Sequence, residues 1–194
     1  MVIYSLKGRV NNIFTGFAVF DVHGVGFKVF MADKDLKALV FDADLEIFAH
    51  LHVKEDALDL YGFLSPKELS FFELLISVSG VGPKSALSIL DVAEINKLTA
   101  AIVENRPDLL TQASGIGRKT AEKVIIELRG KVATLQSEDI VRSMESDGDL
   151  VETLSSLGYK KETARAVLSK IPASVSGLEG RLREALKLLS GKGK

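Results

Sequence analysis

The nine residues SGVGPKSAL at positions 79–87 return 35 positions later as SGIGRKTAE at 114–122. Each copy places a Gly-x-Gly turn between stretches of helical periodicity, so each reads as two helices joined by a tight hairpin. Gly80 and Gly82, and likewise Gly115 and Gly117, permit the positive φ or the close backbone approach that such a turn demands. Pro83 suits the first turn of a helix, where its missing N–H would have had no partner. Val81 and Ile116 are expected to point inward and anchor the turns. Outward remain the N–H groups of a helix N-terminus, with Lys84 and Ser85 beside the first and Arg118, Lys119 and Thr120 beside the second. Lys123 follows one turn later. Such a place attracts anions, and the natural anion is a phosphate.

A single Gly-x-Gly often does no more than connect two helices. Two copies with serine before, and lysine and a hydroxyl after, tell against that reading. Neither copy is a nucleotide loop, because a P-loop needs four residues between its glycines and then Gly-Lys-Ser/Thr. A dinucleotide fingerprint would need a strand before the turn and glycine where Ser85 and Thr120 stand. The pair is suited to gripping one duplex, each hairpin on the backbone of a different strand, which positions a protein without reading bases. The expectation is structure-dependent, sequence-independent DNA binding that weakens with salt, by about 0.9 in the log-log slope per phosphate neutralised.

Net charge neither supports nor opposes this. The chain totals −1, from net −3 over residues 1–64, 0 over 65–130 and +2 over 131–194. Placement of single charges therefore carries the electrostatic argument. No cysteine is present, which removes disulfides and thiolate chemistry. The first residues, MVIYSLKGRV, lack the pattern of an export signal, and no stretch reaches the roughly 20 apolar residues of a membrane span. A cytoplasmic protein with no membrane partner is expected.

Residues 1–64 read as strands: VIYSLKGRV, GFAVFDV, GFKVFM, LEIFAHLHV and LDLYGF, with the short helix KDLKALV after the third. Five strands with that helix form the pattern of an OB-type barrel. From Ser65-Pro66 the signals turn helical. KELSFFELLISV should bury Leu69, Phe72, Leu75 and Ile76 on one face, and further helices follow through residue 130. Residues 131–148 read as a flexible linker with some local helical tendency. Three short helices close the chain, at about Asp149–Leu157, Lys161–Lys170 and Ser176–Leu189. The fold class is α+β multidomain: an OB-type barrel, an all-α tandem helix-hairpin-helix domain and a small three-helix bundle.

HVKEDALDLYGF poses a separate question, since Glu55 and Asp56 are adjacent acids at a probable turn between strands. They suit a solvated hairpin tip. Catalysis would require a metal or a proton-transfer partner, and His50, His52 and Lys54 do not make a clean cluster with them. No catalytic residue, metal site or cofactor is assigned.

Taken together, SLKGRV, GVGFKV, HVKEDALDLYGF, GVGPKSALSIL, GIGRKTAEKVIIEL and LSSLGYKKETA resemble the RuvA family, the bacterial Holliday-junction-binding subunits of a branch-migration machine. The resemblance runs from end to end. It implies a homotetramer on a four-way DNA junction, singly or as two tetramers enclosing it, in recombination and repair. It implies recruitment and regulation of a hexameric RuvB-like ATPase by a mobile third domain, with a junction resolvase as a further candidate partner. Glu55 and Asp56 become an acidic pin at the crossover, where one unit pair of charges at ~6 Å in water repels by about 0.7 kcal/mol. The hairpin residues named above become the DNA-backbone contacts, with Lys54 and Arg129 as weaker candidates. Leu154, Leu157, Tyr159, Val167 and Leu168 become candidates for the motor-binding surface. Two readings from other classes stay open: a structure-selective nuclease using Glu55 and Asp56 for metal, and an adaptor that binds proteins only.

Overall fold

The computed structural model describes residues 3–168, 170, 171, 175 and 178–190, without side-chain detail for 133–146, 178, 179 and 190. Val2, Pro172 and Ser176, each part of an expected element or boundary, lie outside the described residues.

Residues 5–63 hold a closed barrel of β1 (Ser5–Phe14), β2 (Phe17–Val22), β3 (Val25–Phe30), β4 (Asp44–Val53) and β5 (Leu58–Phe63). The order around it is β1-β2-β3-β5-β4, antiparallel throughout except for β3 beside β5. Period-two alternation sends Ala18 and Phe20 of β2, Val29 of β3, and Ile47 and Ala49 of β4 inward, where all are fully buried. β1 runs four residues past its expected end at Val10. Asn residues are poor strand formers, but a register shift between Val10 and Asn12 absorbs the irregularity, and Ile13 and Phe14 resume pairing with Ala18 and Phe17. This long strand joins the two halves of the barrel, pairing with β4 through residues 5–9 and with β2 through residues 9–14.

The helix expected after β3 is α1 (Asp33–Ala38). Helical structure resumes at α2 (Pro66–Ile76), where the Ser65 Oγ accepts the Glu68 N–H at 3.2 Å. Then come α3 (Pro83–Val92), α4 (Ile95–Val103), the single turn α5 (Pro107–Leu110) and α6 (Arg118–Ser156). On α2 the structure buries Phe71 as well as Leu69, Phe72 and Leu75, and leaves Ile76 only half-buried. The reason is that α2 lies against β4 and β5 on one side and α3 on the other, so a single stripe does not describe its covered surface.

Residues 1–133 make one compact unit. A core inside the barrel holds Phe20, Val29, Met31 and Ile47. A second core joins Ala32, Tyr61 and Phe63 of the barrel region to Leu69, Phe72, Leu90, Leu98 and Leu128 of the helices. A barrel of about 60 residues buries too little surface to be robust alone, and the shared core supplies the deficit. At the same seam Lys34 Nζ donates to Glu68 Oε1 at 2.8 Å, and the Lys34 N–H donates to Asp91 Oδ1 at 3.0 Å.

Residues 131–148, expected as a linker with some local helical tendency, have helical backbone within α6. No proline occurs between Pro107 and Pro172, and Gly130 and Gly148 cost about 1 kcal/mol each relative to alanine without breaking a helix. The second compact unit, residues 134–194, contains the end of α6, α7 (Lys161–Leu168) and α8 (Leu178–Ser190). Its core is Leu150, Val151, Leu154, Ala164, Val167 and Ala185. α6 stops at Gly158, whose φ is +94°, and the Tyr159 N–H reaches back to the Leu154 carbonyl at 3.1 Å in a Schellman cap.

Candidate nucleic-acid interface

The two glycine hairpins have matching backbone bonds. The Val81 N–H donates to the Val78 carbonyl at 3.0 Å, and 35 residues later Ile116 donates to Ala113 at 3.2 Å. Ala86 donates to Gly82 at 2.9 Å, and Ala121 to Gly117 at 3.0 Å. Gly80 and Gly115 carry the left-handed conformation, at φ +94° and +79°. Val81 and Ile116 are each 5% exposed and anchor the turns in the shared core.

Gly82 has a different reason to be glycine. Its φ of −86° suits any residue, and a Cβ added there or at Gly117 would meet nothing within 4 Å. The protein thus leaves open the space in front of the first turns of α3 and α6. No side chain caps α3, so its leading N–H groups face outward without an intrahelical acceptor. Beside them, Lys84 and Lys119 are exposed and form no ion pair among the described residues. Arg118 is exposed too, but its Nε donates to Glu122 Oε1 at 3.1 Å and its Nη1 lies 3.5 Å from Asp108. Lys123 sits 3.8 Å from Glu127. Surface pairs of this kind are worth about 0–1 kcal/mol, so a phosphate can displace them.

The hairpins adjoin each other. The Ser114 N–H donates to Ser88 Oγ at 2.8 Å, and a Cβ on Gly115 would come within 3.4 Å of Ser85 Oγ. Ser85 and Thr120 are half-buried. The repeated motif does not mark Ser88, which lies one residue beyond the nine and is matched by Lys123 in the second copy.

Glu55 and Asp56 occupy the exposed tip between β4 and β5, closed by the Lys54 N–H donating to the Ala57 carbonyl at 2.9 Å. Lys54 Nζ is 3.8 Å from Asp59, within the same hairpin, and Arg129 is exposed on α6. Flanking the tip, Val53 and Leu58 face each other across the strands at 65% and 71% exposure. Alternation in the sequence does not single out this apolar collar, since both residues are ordinary for a strand. His50 is engaged by Glu73 at 2.9 Å, and His52 packs against Tyr61. Among the described residues no three His, Cys, Asp or Glu side chains are placed to hold a metal ion, and no helix is long and apolar enough to cross a membrane.

In the second unit the structure corrects the surface proposed for a partner. Leu154 is fully buried and Val167 is 4% exposed, so both are core residues. They are the inward stripe of α6 and α7, and hydrophobicity alone does not separate that stripe from an outer patch. Leu157 is 57% exposed, while Tyr159 and Leu168 are half-buried at the edge of the core.

A closed five-stranded barrel joined through a shared core to paired helix-hairpin-helix units defines the class of protein. Three family models divide the chain accordingly: the RuvA N terminal domain over residues 2–62, the SAM-like helix-hairpin-helix tandem over 72–131, and the RuvA C-terminal domain over 148–190. The protein named "Holliday junction branch migration complex subunit RuvA" from Dehalococcoides mccartyi is 38% identical over 98% of this chain and 100% of its own length. Proteins of the same name from Herpetosiphon aurantiacus and Pelobacter propionicus are also 38% identical, over 98% and 97% of this chain and 100% and 99% of their own. The chain belongs to the RuvA family.

Proposed function

We propose that this chain is a non-catalytic DNA-binding subunit that holds a four-way junction open for an ATP-driven partner in the cytoplasm. The observation that carries the reading is the doubled hairpin. Two helix starts with open space before them, each beside an exposed lysine without an ion pair among the described residues, match two backbone phosphates on opposite strands better than any small ligand. Lys84 and Lys119 make the principal charge contacts. Arg118 and Lys123 join them by exchanging Asp108, Glu122 and Glu127 for phosphate.

Assembled as a homotetramer, the protein would present four such pairs, one for each arm, around four acidic tips. Glu55 and Asp56 would then repel converging phosphates and disfavour collapse of the crossover into stacked arms. The names of the relatives support a place in a branch-migration complex. Since this sequence carries no P-loop, ATP hydrolysis falls to a RuvB-like hexamer, which the residue 134–194 unit recruits.

A gel-shift titration tests the reading, using a synthetic four-way junction and linear duplex with the same arm sequences at two salt concentrations. Preferential junction binding that weakens steeply with salt is expected, and Lys84→Ala with Lys119→Ala should lower it together with the salt slope. Equal affinity for junction and duplex would overturn junction specificity. Magnesium-dependent cleavage of the junction would instead indicate a nuclease.

A further inference from the structure

Five aromatic rings form a continuous row from the shared core to the surface. Phe72 of α2 stacks on Tyr61 of β5 with ring centroids 5.4 Å apart, and Tyr61 meets Phe30 of β3 at 5.6 Å. Phe30 meets Phe17 of β2 edge-on at 6.3 Å, and Phe17 stacks on Phe14 at 4.8 Å with the planes 21° apart. The inner end is buried, whereas Phe14 at the β1–β2 turn is 49% exposed. Lys28 extends its ammonium over the row, 4.5 Å from the Phe17 ring centre and 4.7 Å from that of Phe30. It forms no ion pair among the described residues.

One exposed phenylalanine would need no explanation. This one ends a row of ring contacts, has a cation over its neighbours Phe17 and Phe30, and precedes Thr15 and Gly16, which line a cleft that leads to the first hairpin. The cleft, about 380 Å³, is lined by Thr15, Gly16, Phe30 and Lys84 among others, with Asp33 and Asp91 on its wall. Asp91 Oδ1 is already engaged by the Lys34 N–H. A flat π-face with neighbouring ammonium groups is the chemistry that holds an unpaired nucleotide, the base stacking and the phosphate paired. In OB-type barrels the face of strands 2 and 3 and the loop between strands 1 and 2 are a recurrent place for such binding.

We propose that Phe14, supported by Phe17 and Lys28, is a stacking site for an unpaired nucleotide of single-stranded DNA, continuous through this cleft with the Lys84 hairpin. The choice of nucleic acid over a second copy of the chain rests on the reading of the hairpins as DNA-backbone sites and on the two lysines. The site lies outside the acidic tip and uses a different chemistry, stacking in place of phosphate capture.

Titration of a fluorescein-labelled 15-mer of thymidylate with the full-length protein, followed by anisotropy, tests it. Phe14→Ala and Phe14→Leu should weaken 15-mer binding by about 5- to 150-fold, the loss expected for one base–aromatic stack. The leucine variant keeps apolar bulk, which separates loss of the ring from loss of fold. Phe14→Trp should preserve binding, and because the sequence contains no other tryptophan, quenching of its emission by the 15-mer reports stacking at that ring. Lys119→Ala, on the other hairpin, should weaken four-way junction binding while leaving the dependence on Phe14 intact, so failure of the junction reading is distinguishable from failure of this one. Undiminished 15-mer binding in both the alanine and leucine variants, or no binding by the wild type, would overturn the proposal. A fall in oligomeric mass on Phe14→Ala with unchanged 15-mer affinity would overturn it too, assigning the face to contact between copies.

Discussion

At the scale of the residue, Asp35 is the side chain whose environment differs most from what its surroundings in the sequence suggest. KDLKALV places it in the first turn of a short helix, where an acid ordinarily faces water. In the structure it is 5% exposed, and its Oδ2 has no hydrogen-bond partner among the described residues. Burial is the main cause that pushes its carboxyl up to about 7. The charges of Glu68 on α2, Asp91 on α3 and Glu94 just before α4 add to this, against a lowering by Lys34. The folded protein therefore keeps a proton that the unfolded chain releases near its ordinary value of 3.8. Between roughly pH 4 and 7 the native state binds more protons, so this group's contribution to stability is full below that window and is lost as pH rises through it. Asp35→Asn should remove that loss. Denaturant midpoints measured at pH 5.5 and 8 at constant ionic strength should show the variant gaining about 1–3 kcal/mol relative to wild type across the interval. Parallel pH dependence in the two proteins would mean that Asp35 is ionised in the native state. The burial was not legible in the sequence because α2 and α3 arrive from 30 to 60 residues away, whereas Val81 and Ile116 could be placed inward from the turn motif alone.

Whole elements were more readable than their ends. Alternation marked the five strands and Gly-x-Gly marked the hairpins because each signal is local and repeats within a few residues. The exceptions are instructive: β1 passes through Asn11 and Asn12 by means of an irregularity, and residues 131–148 continue a helix that polar composition had marked as a linker. Composition reports how much surface a segment can bury, and a helix with no breaker can persist without burying much. The β4–β5 hairpin is an element that alternation and its acidic turn make legible in full. Its Glu55 and Asp56 are exposed, so Glu55→Gln with Asp56→Asn should leave the fold untouched. Under the proposed function the doubly neutral tip should bind a four-way junction as tightly as wild type or more so, because like-charge repulsion with phosphate is gone. Branch migration by the complete complex should change in rate. Migration kinetics at matched salt and matched occupancy make the comparison, and an unchanged rate would remove the pin role while leaving the hairpins in place.

For the whole molecule, the decisive feature is that its apolar residues form two separate sets of cores. Every residue of the hairpins, the barrel and the aromatic row belongs to the unit spanning residues 1–133, while Leu150, Leu154, Ala164, Val167 and Ala185 close a core of their own in residues 134–194. Under the proposed function, binding of DNA and recruitment of a motor should therefore be separable by truncation. A chain ending at Gly148 removes the second core entirely and retains the first, including Leu128 and Val132 of α6. It should bind the four-way junction within about twofold of wild type, since every hairpin residue and the core that anchors it lie in the first unit. It should fail to stimulate junction-dependent ATP hydrolysis by a RuvB-like partner. Within the full chain, Leu157→Asp makes the finer distinction, because Leu157 is exposed whereas Leu154 and Val167 are core. A charge at 157 should impair motor stimulation and leave the melting temperature unchanged, while Leu154→Asp should unfold the second unit by burying an unpaired charge. Full stimulation by the truncated chain would move the motor contact into the barrel and hairpin unit. Full stimulation by Leu157→Asp alone would move it to another face of the second unit, away from the end of α6.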